Sequence, residues 1–246
     1  MTMNKNKAKR LAFIIPAVLS ALKLTAYAVE PGSISIDIGG SGTLEMLFTL
    51  TVIALIPSIL IMTTSFTRIV IVLSCVRNAV GLQQTPPNQV LVGIALFLSL
   101  FIMTPSLERI NTEAYQPYQD GTITQAEAIK AGMVPLRDFM LKNTNTKDLN
   151  MFLELGGYDQ PESLDDIKTT VIIPAFITSE LKRAFTIGFL VYLPFLIIDL
   201  VVSSTLMSLG MMMLPPSLIS LPFKIMLFVL VDGWGLIIKT LITGFN

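Results

Sequence analysis

Charged side chains sit where charge is expensive. Asp199 lies inside one apolar run, 186–210, and Asp232 and Lys239 lie inside a second, 221–241, with Lys224 near its start. A mid-span acid or base costs roughly 2.5–3.5 kcal/mol on insertion scales, so it needs a partner or an aqueous face. Such groups could relay protons or satisfy structural hydrogen bonds. For Asp199 and Asp232 the structural role is the expectation, and both are read as buried charges. Between the runs, 210–223 carries no charge, and Met211, Met212 and Met213 stand together beside Pro215 and Pro216. Methionine is unbranched and polarizable, so a cluster of it can mould to irregular surfaces. The plainer alternative is an apolar turn resting at the membrane interface.

Other chemistries lack their residues. The chain has no histidine, which removes HExxH zinc sites, histidine triads and histidine proton shuttles together. No GxxxxGK[ST] loop is present for ATP. Cys75 is the single cysteine, so no disulfide can form within one subunit. The formal net charge is zero, which argues against nucleic acid as a partner. No metal, cofactor or enzymatic activity is expected.

The elements that position these residues are apolar helices. Hydrophobic residues make up 52% of the chain and charged residues 14%, against about 25% charged in soluble proteins, so the chain reads as an all-α integral membrane protein in contact with lipid. Residues 1–28 have the form of a secretory signal peptide. They have a basic start, a short apolar core and an Ala26-Tyr27-Ala28 site, with cleavage after Ala28. Residues 29–43 follow as a periplasmic leader. A first helical hairpin covers 44–106: a span over 44–64, kinked at Pro57 and able to continue to Ala79, a turn over 81–87, and a return span over 88–105. Arg68 and Arg77 lie in a stretch without acids and place that turn on the cytoplasmic side.

Residues 107–185 form a periplasmic helical region. Thr124 and Glu127 have capping-box spacing, a separate helix is expected to start at Pro135, and another over 147–155 ends at Gly156-Gly157. A region this small buries only a modest core alone and is expected to pack on copies of itself. Pro174 marks a bend, and Thr178-Ser179-Glu180 could start the next helix. A second hairpin, 186–246, contains both long apolar runs and the methionine loop, giving four kinked hydrophobic helices in two hairpins. Three classes stay open at this stage: a membrane enzyme, a small-solute channel or transporter subunit, and an oligomeric pore subunit.

The segments TSFTRIVIV (64–72), PPNQVLVGIALFLSLFIMTP (86–105), AYQPY (114–118), IPAFITSELKRAF (173–185), YLPFLIIDLVVSSTLMSLGMMMLPP (192–216) and LPFKIMLFVLVDGW (221–234) together resemble the FliP family of the flagellar type III secretion export gate. The resemblance implies a pentamer that joins FliQ and FliR in a helical, roughly closed cone. FlhA and FlhB complete the gate in the flagellar basal body of the bacterial inner membrane, with periplasmic exposure. It implies that unfolded flagellar proteins pass through the centre, and that much of the apolar helical material is lifted out of the bilayer plane on assembly. It places the pore gasket on Met211, Met212 and Met213, an inter-subunit ion pair on Glu180 and Lys224, and the mid-helix acid on Asp199.

Overall fold

A computed structural model describes residues 41–158, 163–211 and 213–245. The signal-peptide reading and the Ala28 cleavage site lie outside the described residues. The chain divides into two compact units, 1–53 and 54–246, and the packing below concerns the second. Every regular element among the described residues is helical.

Helix α1 (Ser41–Met62) carries Pro57 inside it. The expected continuation to Ala79 as one helix does not occur, because the chain turns at Thr63-Thr64-Ser65. Thr63 Oγ1 donates to the Ile59 carbonyl at 3.0 Å and Thr64 Oγ1 to that of Ile61 at 3.2 Å. A new helix, α2 (Phe66–Val80), begins after Ser65. It ends at Gly81, whose φ of +89° suits glycine. The Leu82 and Gly81 amides donate to the carbonyls of Arg77 and Asn78, closing a Schellman motif.

Helix α2 is the centre of the molecule. Ile69, Val72, Leu73, Val76 and Val80 recur at helical spacing and are all buried. They pack against α3 (Asn88–Ile110), α7 (Thr169–Ser208) and α8 (Pro216–Leu230). Beyond α3 come a π turn (Asn111–Tyr115) and the short α4 (Gln116–Gln119).

Thr124 and Glu127 form the expected capping box at the head of α5 (Gln125–Asn143). The Thr124 backbone N–H donates to the Glu127 carboxylate at 2.8 Å, which holds the Glu127 pKa below the usual glutamate range. No separate helix starts at Pro135. Proline lies inside a continuous α5 and is buried. Helix α6 (Thr146–Leu155) follows and ends at Gly156. Its apolar face packs within the chain, together with Met140 of α5. Met140, Leu149 and Leu153 pack on Val171, Ile172, Ala175 and Phe176 of α7, making a second core. Phe139 joins the two cores, with ring centroids 6.0 Å from both Phe176 and Phe245.

The helix expected to start near Thr178 instead starts at Thr169 and runs 40 residues through Pro174 and Pro194. At 1.5 Å per residue α7 is about 60 Å long, twice the roughly 30 Å of a bilayer core. Its first half therefore belongs to the polar region and its second half to the apolar one. The last run is broken: α8 and α9 (Gly233–Thr243) are bent by 60°. Residues Asn88–Gln119 and Thr169–Ser208 are each long and apolar enough to cross a membrane, and the α8–α9 pair qualifies if counted as one bent span.

Candidate functional site: ion pairs and the methionine loop

Three groups of charges involve α7, two of them within one of its turns, and Arg109 with Glu113 and Asp138 makes a further, exposed one. Glu180 is 0% exposed and faces α2. Its Oε2 accepts from Arg68 Nε at 2.7 Å, and its Oε1 accepts from Arg68 Nη2, so the pair is bidentate. Arg68 Nη1 donates to the Gly244 carbonyl at 2.9 Å, and the guanidinium lies 3.6 Å above the Phe245 ring. One buried arginine thus ties α2, α7 and the C-terminal turn together. It is more than the topology signal that its sequence context suggested.

One residue earlier, Ser179 Oγ accepts from the Asn145 backbone N–H at 2.9 Å and donates to Asp148 at 2.8 Å. Lys182 also donates to Asp148. The Lys182 ammonium, aided by the Ser179 hydroxyl, holds the Asp148 pKa below the usual carboxylate range against the opposing effect of desolvation. Adjacent positions on a helix point about 100° apart, so Ser179 serves α6 while Glu180 serves α2.

The third group joins α7 to α8. Asp199 Oδ2 accepts from Lys224 Nζ at 2.6 Å, and Oδ1 accepts from Ser220 Oγ at 2.6 Å. The hydroxyl comes from Ser220 of α8 and not from the serines that follow Asp199 on α7, of which Ser204 and Ser208 bond to carbonyls of their own helix. Lys224 is buried, but the Asp199 side chain is 41% exposed, so Asp199 is a paired charge at the protein surface.

Within one chain Glu180 is paired with Arg68 and Lys224 with Asp199, while the Glu180–Lys224 pair expected from the resemblance is a contact between subunits. Asp232, expected to be buried, is not. It is exposed at the break between α8 and α9, with φ +50°, and its side chain accepts from the Gly235 amide at 3.4 Å as an N-cap. Aspartate tolerates this left-handed conformation better than most residues. Lys239 is exposed on α9.

The methionine segment joins α7 to α8. Gly210 has φ +73°, and the Met211 and Gly210 amides donate to the Leu206 and Met207 carbonyls at 3.0 and 3.1 Å. This Schellman motif stops α7, and Pro215 and Pro216 begin α8. The backbone is fixed at both ends while Met213 is 98% exposed and Met211 is also exposed. Met212 lies outside the described residues.

Arg68 could have been found from the sequence. It shares a stripe with Val72, Cys75, Val76 and Ala79 at helical spacing, so the pattern already points its guanidinium at the core. Ser220 and Asp148 carry no such mark.

Apolar helices of spanning length, joined by one buried ion pair, partly exposed ones and an exposed apolar loop, define an all-α membrane protein. The FliP family model matches residues 49–241, and the chain belongs to that family. It is 56% identical over 205 residues to the flagellar biosynthetic protein FliP of Bacillus subtilis, covering 83% of this chain and 93% of that one. Against the protein of the same name from Pectobacterium carotovorum it is 47% identical over 240 residues, covering 96% and 90%. Against that of Aquifex aeolicus it is 50% identical over 206 residues, covering 83% and 86%.

Proposed function

We propose that this chain is a core pore-forming subunit of the flagellar type III export gate, passing unfolded flagellar proteins across the bacterial inner membrane. Membership of the FliP family, together with relatives named as flagellar biosynthetic proteins, supports a place in the flagellar export apparatus. The protein acts as a transport subunit, not an enzyme. In this reading it forms a pentameric cone with FliQ and FliR, beside FlhA and FlhB, in the basal body. A signal peptide, 1–28, is removed after Ala28, a leader over 29–43 follows, and the hairpins 44–106 and 186–246 flank a periplasmic region, 107–185. The apolar segments of α1, α3, the second half of α7 and the bent α8–α9 pair supply the four hydrophobic helices.

One observation carries the gating part of the proposal. The loop between α7 and α8 is pinned at both ends, carries no charge, and holds Met213 almost fully exposed. Several such loops pointing inward would form a ring of Met211, Met212 and Met213. A narrow apolar constriction resists wetting, and flexible methionines can close around varied substrate chains.

The test is conductance of the reconstituted complex, wild type against Met211→Ala/Met212→Ala/Met213→Ala. Assembly should be retained and ion leakage should rise, while export of flagellar substrates persists in part. Unchanged conductance in a fully assembled complex rules out the gasket. Failure of the wild-type gene to restore motility in a host lacking its own FliP-family gene rules out the export role.

A further inference from the structure

The methionines of this chain differ sharply in their surroundings. Met103 and Met140 are buried within packed helices. Met133 and Met151, on α5 and α6, are partly exposed. Met46, Met62, Met207 and Met226 lie on the apolar helices α1, α7 and α8 and are roughly half to two-thirds exposed. Among the described residues only Met213 stands clear of its neighbours, 98% exposed on the loop between α7 and α8, with Met211 exposed on the same loop.

A thioether that water reaches is open to a hydroperoxide. The sulfur lone pair takes the distal oxygen, the O–O bond breaks and an S–O bond forms. The hydroperoxide proton passes to the departing oxygen, which leaves as water or an alcohol. Sulfur is oxidised by two electrons and the peroxide is reduced. The product, methionine sulfoxide, is polar, and sulfoxide reductases return it to the thioether, one enzyme for each epimer. At Met213 that polarity would fall in a segment, 210–223, that carries no charge. The loop is anchored by backbone hydrogen bonds at Gly210 and Met211 and by Pro215-Pro216, none of which the oxidation touches. Its path is therefore kept while its surface changes from apolar to polar.

We propose that Met213, with Met211 beside it, is a reversible oxidation site at which a hydroperoxide turns the apolar loop into a wettable one. The effect on conductance rests on the gasket reading of this loop. A sulfoxide oxygen accepts hydrogen bonds from water, so a ring that carries it loses the resistance to wetting of an apolar constriction. Exposure sets the order of reaction. Met213 goes first, partly exposed methionines follow, and Met103 and Met140 react only when their helices open.

The reconstituted complex is treated with hydrogen peroxide, and oxidation of each methionine is read by peptide mass spectrometry alongside conductance. Met213 should take up oxygen at least about 10-fold faster than Met103 and Met140, whose reaction needs a local opening. Conductance should rise about 10-fold as the ring acquires polar groups. Sulfoxide reductases of both stereospecificities, with a dithiol as reductant, should reverse the rise. Dithiol alone, which clears reversible oxidation of the single thiol Cys75, should not. In Met211→Leu/Met213→Leu the response to peroxide should be lost, whatever the starting conductance, since leucine keeps the apolar bulk and cannot take oxygen. Met133→Leu/Met151→Leu should respond as wild type does. Four results would each overturn the proposal: Met213 reacting no faster than Met140, unchanged conductance with Met213 oxidised, a rise that the reductases leave in place, or a full rise in Met211→Leu/Met213→Leu. Met211→Ala/Met212→Ala/Met213→Ala reads the gasket without oxidation. A leak there beside an unresponsive wild type fails this proposal alone, and no leak there fails the gasket on which it rests.

Discussion

Removing either member of the Arg68–Glu180 pair should be the most damaging single change in the molecule. The two side chains are 2% and 0% exposed, and both carboxylate oxygens accept from the guanidinium. Stripping one partner from such a pair leaves a buried charge with no counterion, which costs about 3–5 kcal/mol, or roughly 10²- to 10⁴-fold in the folded-to-unfolded ratio. Glu180→Ala orphans only Arg68. Arg68→Ala orphans Glu180 and also removes the bond to the Gly244 carbonyl and the stack on Phe245. Those losses add about 1–2 kcal/mol, so Arg68→Ala should be the worse of the two. Arg68→Met/Glu180→Leu keeps volume and removes both charges, and it should recover most of the loss.

Cys75 provides the assay. It is the only thiol, and it sits where α2 meets α7: a Cβ at Gly188 would lie 2.8 Å from its sulfur. Labelling by a thiol-reactive dye on heating reports separation of those helices. Each single variant should expose the thiol at a midpoint roughly 6–20 °C below wild type, with the double apolar variant within a few degrees of it. A double-mutant cycle with coupling under about 0.5 kcal/mol would refute the argument, as would singles that add without interaction.

Lys224→Glu should weaken the α7–α8 contact and be rescued by Asp199→Lys but not by Glu180→Lys, since Asp199 is the partner at 2.6 Å; thermal midpoints of the three variants decide it. Gly188→Ala should destabilise by about 1–3 kcal/mol through overpacking, because its Cβ would meet both Sγ and Cβ of Cys75. Cys75→Ala, measured by circular dichroism, should return part of that. Asp148 has a depressed folded-state pKa, so its contribution is present above the unfolded Asp value of about 3.9. It is lost as pH falls from that value through the lower folded one. Asp148→Asn should therefore flatten the acid limb of a stability–pH curve, and an unaltered limb would show that Lys182 and Ser179 do not stabilise the carboxylate.

The helical class and several boundaries were legible because they depend on local signals. Thr124 and Glu127 announce the head of α5, and Gly156-Gly157 the end of α6. Gly210 with Pro215-Pro216 announces the methionine loop. Breaks set by competition were not legible. The apolar pattern resumes directly after Thr63-Thr64-Ser65, and nothing local in it marks the turn that separates α1 from α2. The reverse error occurred at Pro135. Proline is read as a boundary because it removes one hydrogen bond, yet α5 runs through it, with Met140 farther along the same helix packed in the second core. Asp232 was misplaced for a related reason: hydropathy cannot distinguish one straight span from two helices bent by 60°.

The charged sites divide along a similar line. That Glu180, Asp199 and Lys224 need partners follows from the cost of isolated charge in an apolar setting, and that much is readable one residue at a time. Which partner each takes is a property of helix packing. Arg68 and Glu180 are 112 positions apart, and Asp199 and Lys224 are 25 apart. Any pairing rule based on sequence distance would therefore favour the second and overlook the first. The buried pair is nevertheless the more constrained one. Bidentate geometry needs the guanidinium and carboxylate planes aligned, so it fixes the rotation of α2 against α7, not merely their proximity. The α7–α8 contact at Asp199 is made by Lys224 and Ser220 through separate oxygens at a half-open edge, which constrains the α7–α8 angle less than a buried bidentate pair does. The methionine loop lies at that looser contact. If the loop moves when substrate passes, α8 should shift against α7 while α2 and α7 stay locked.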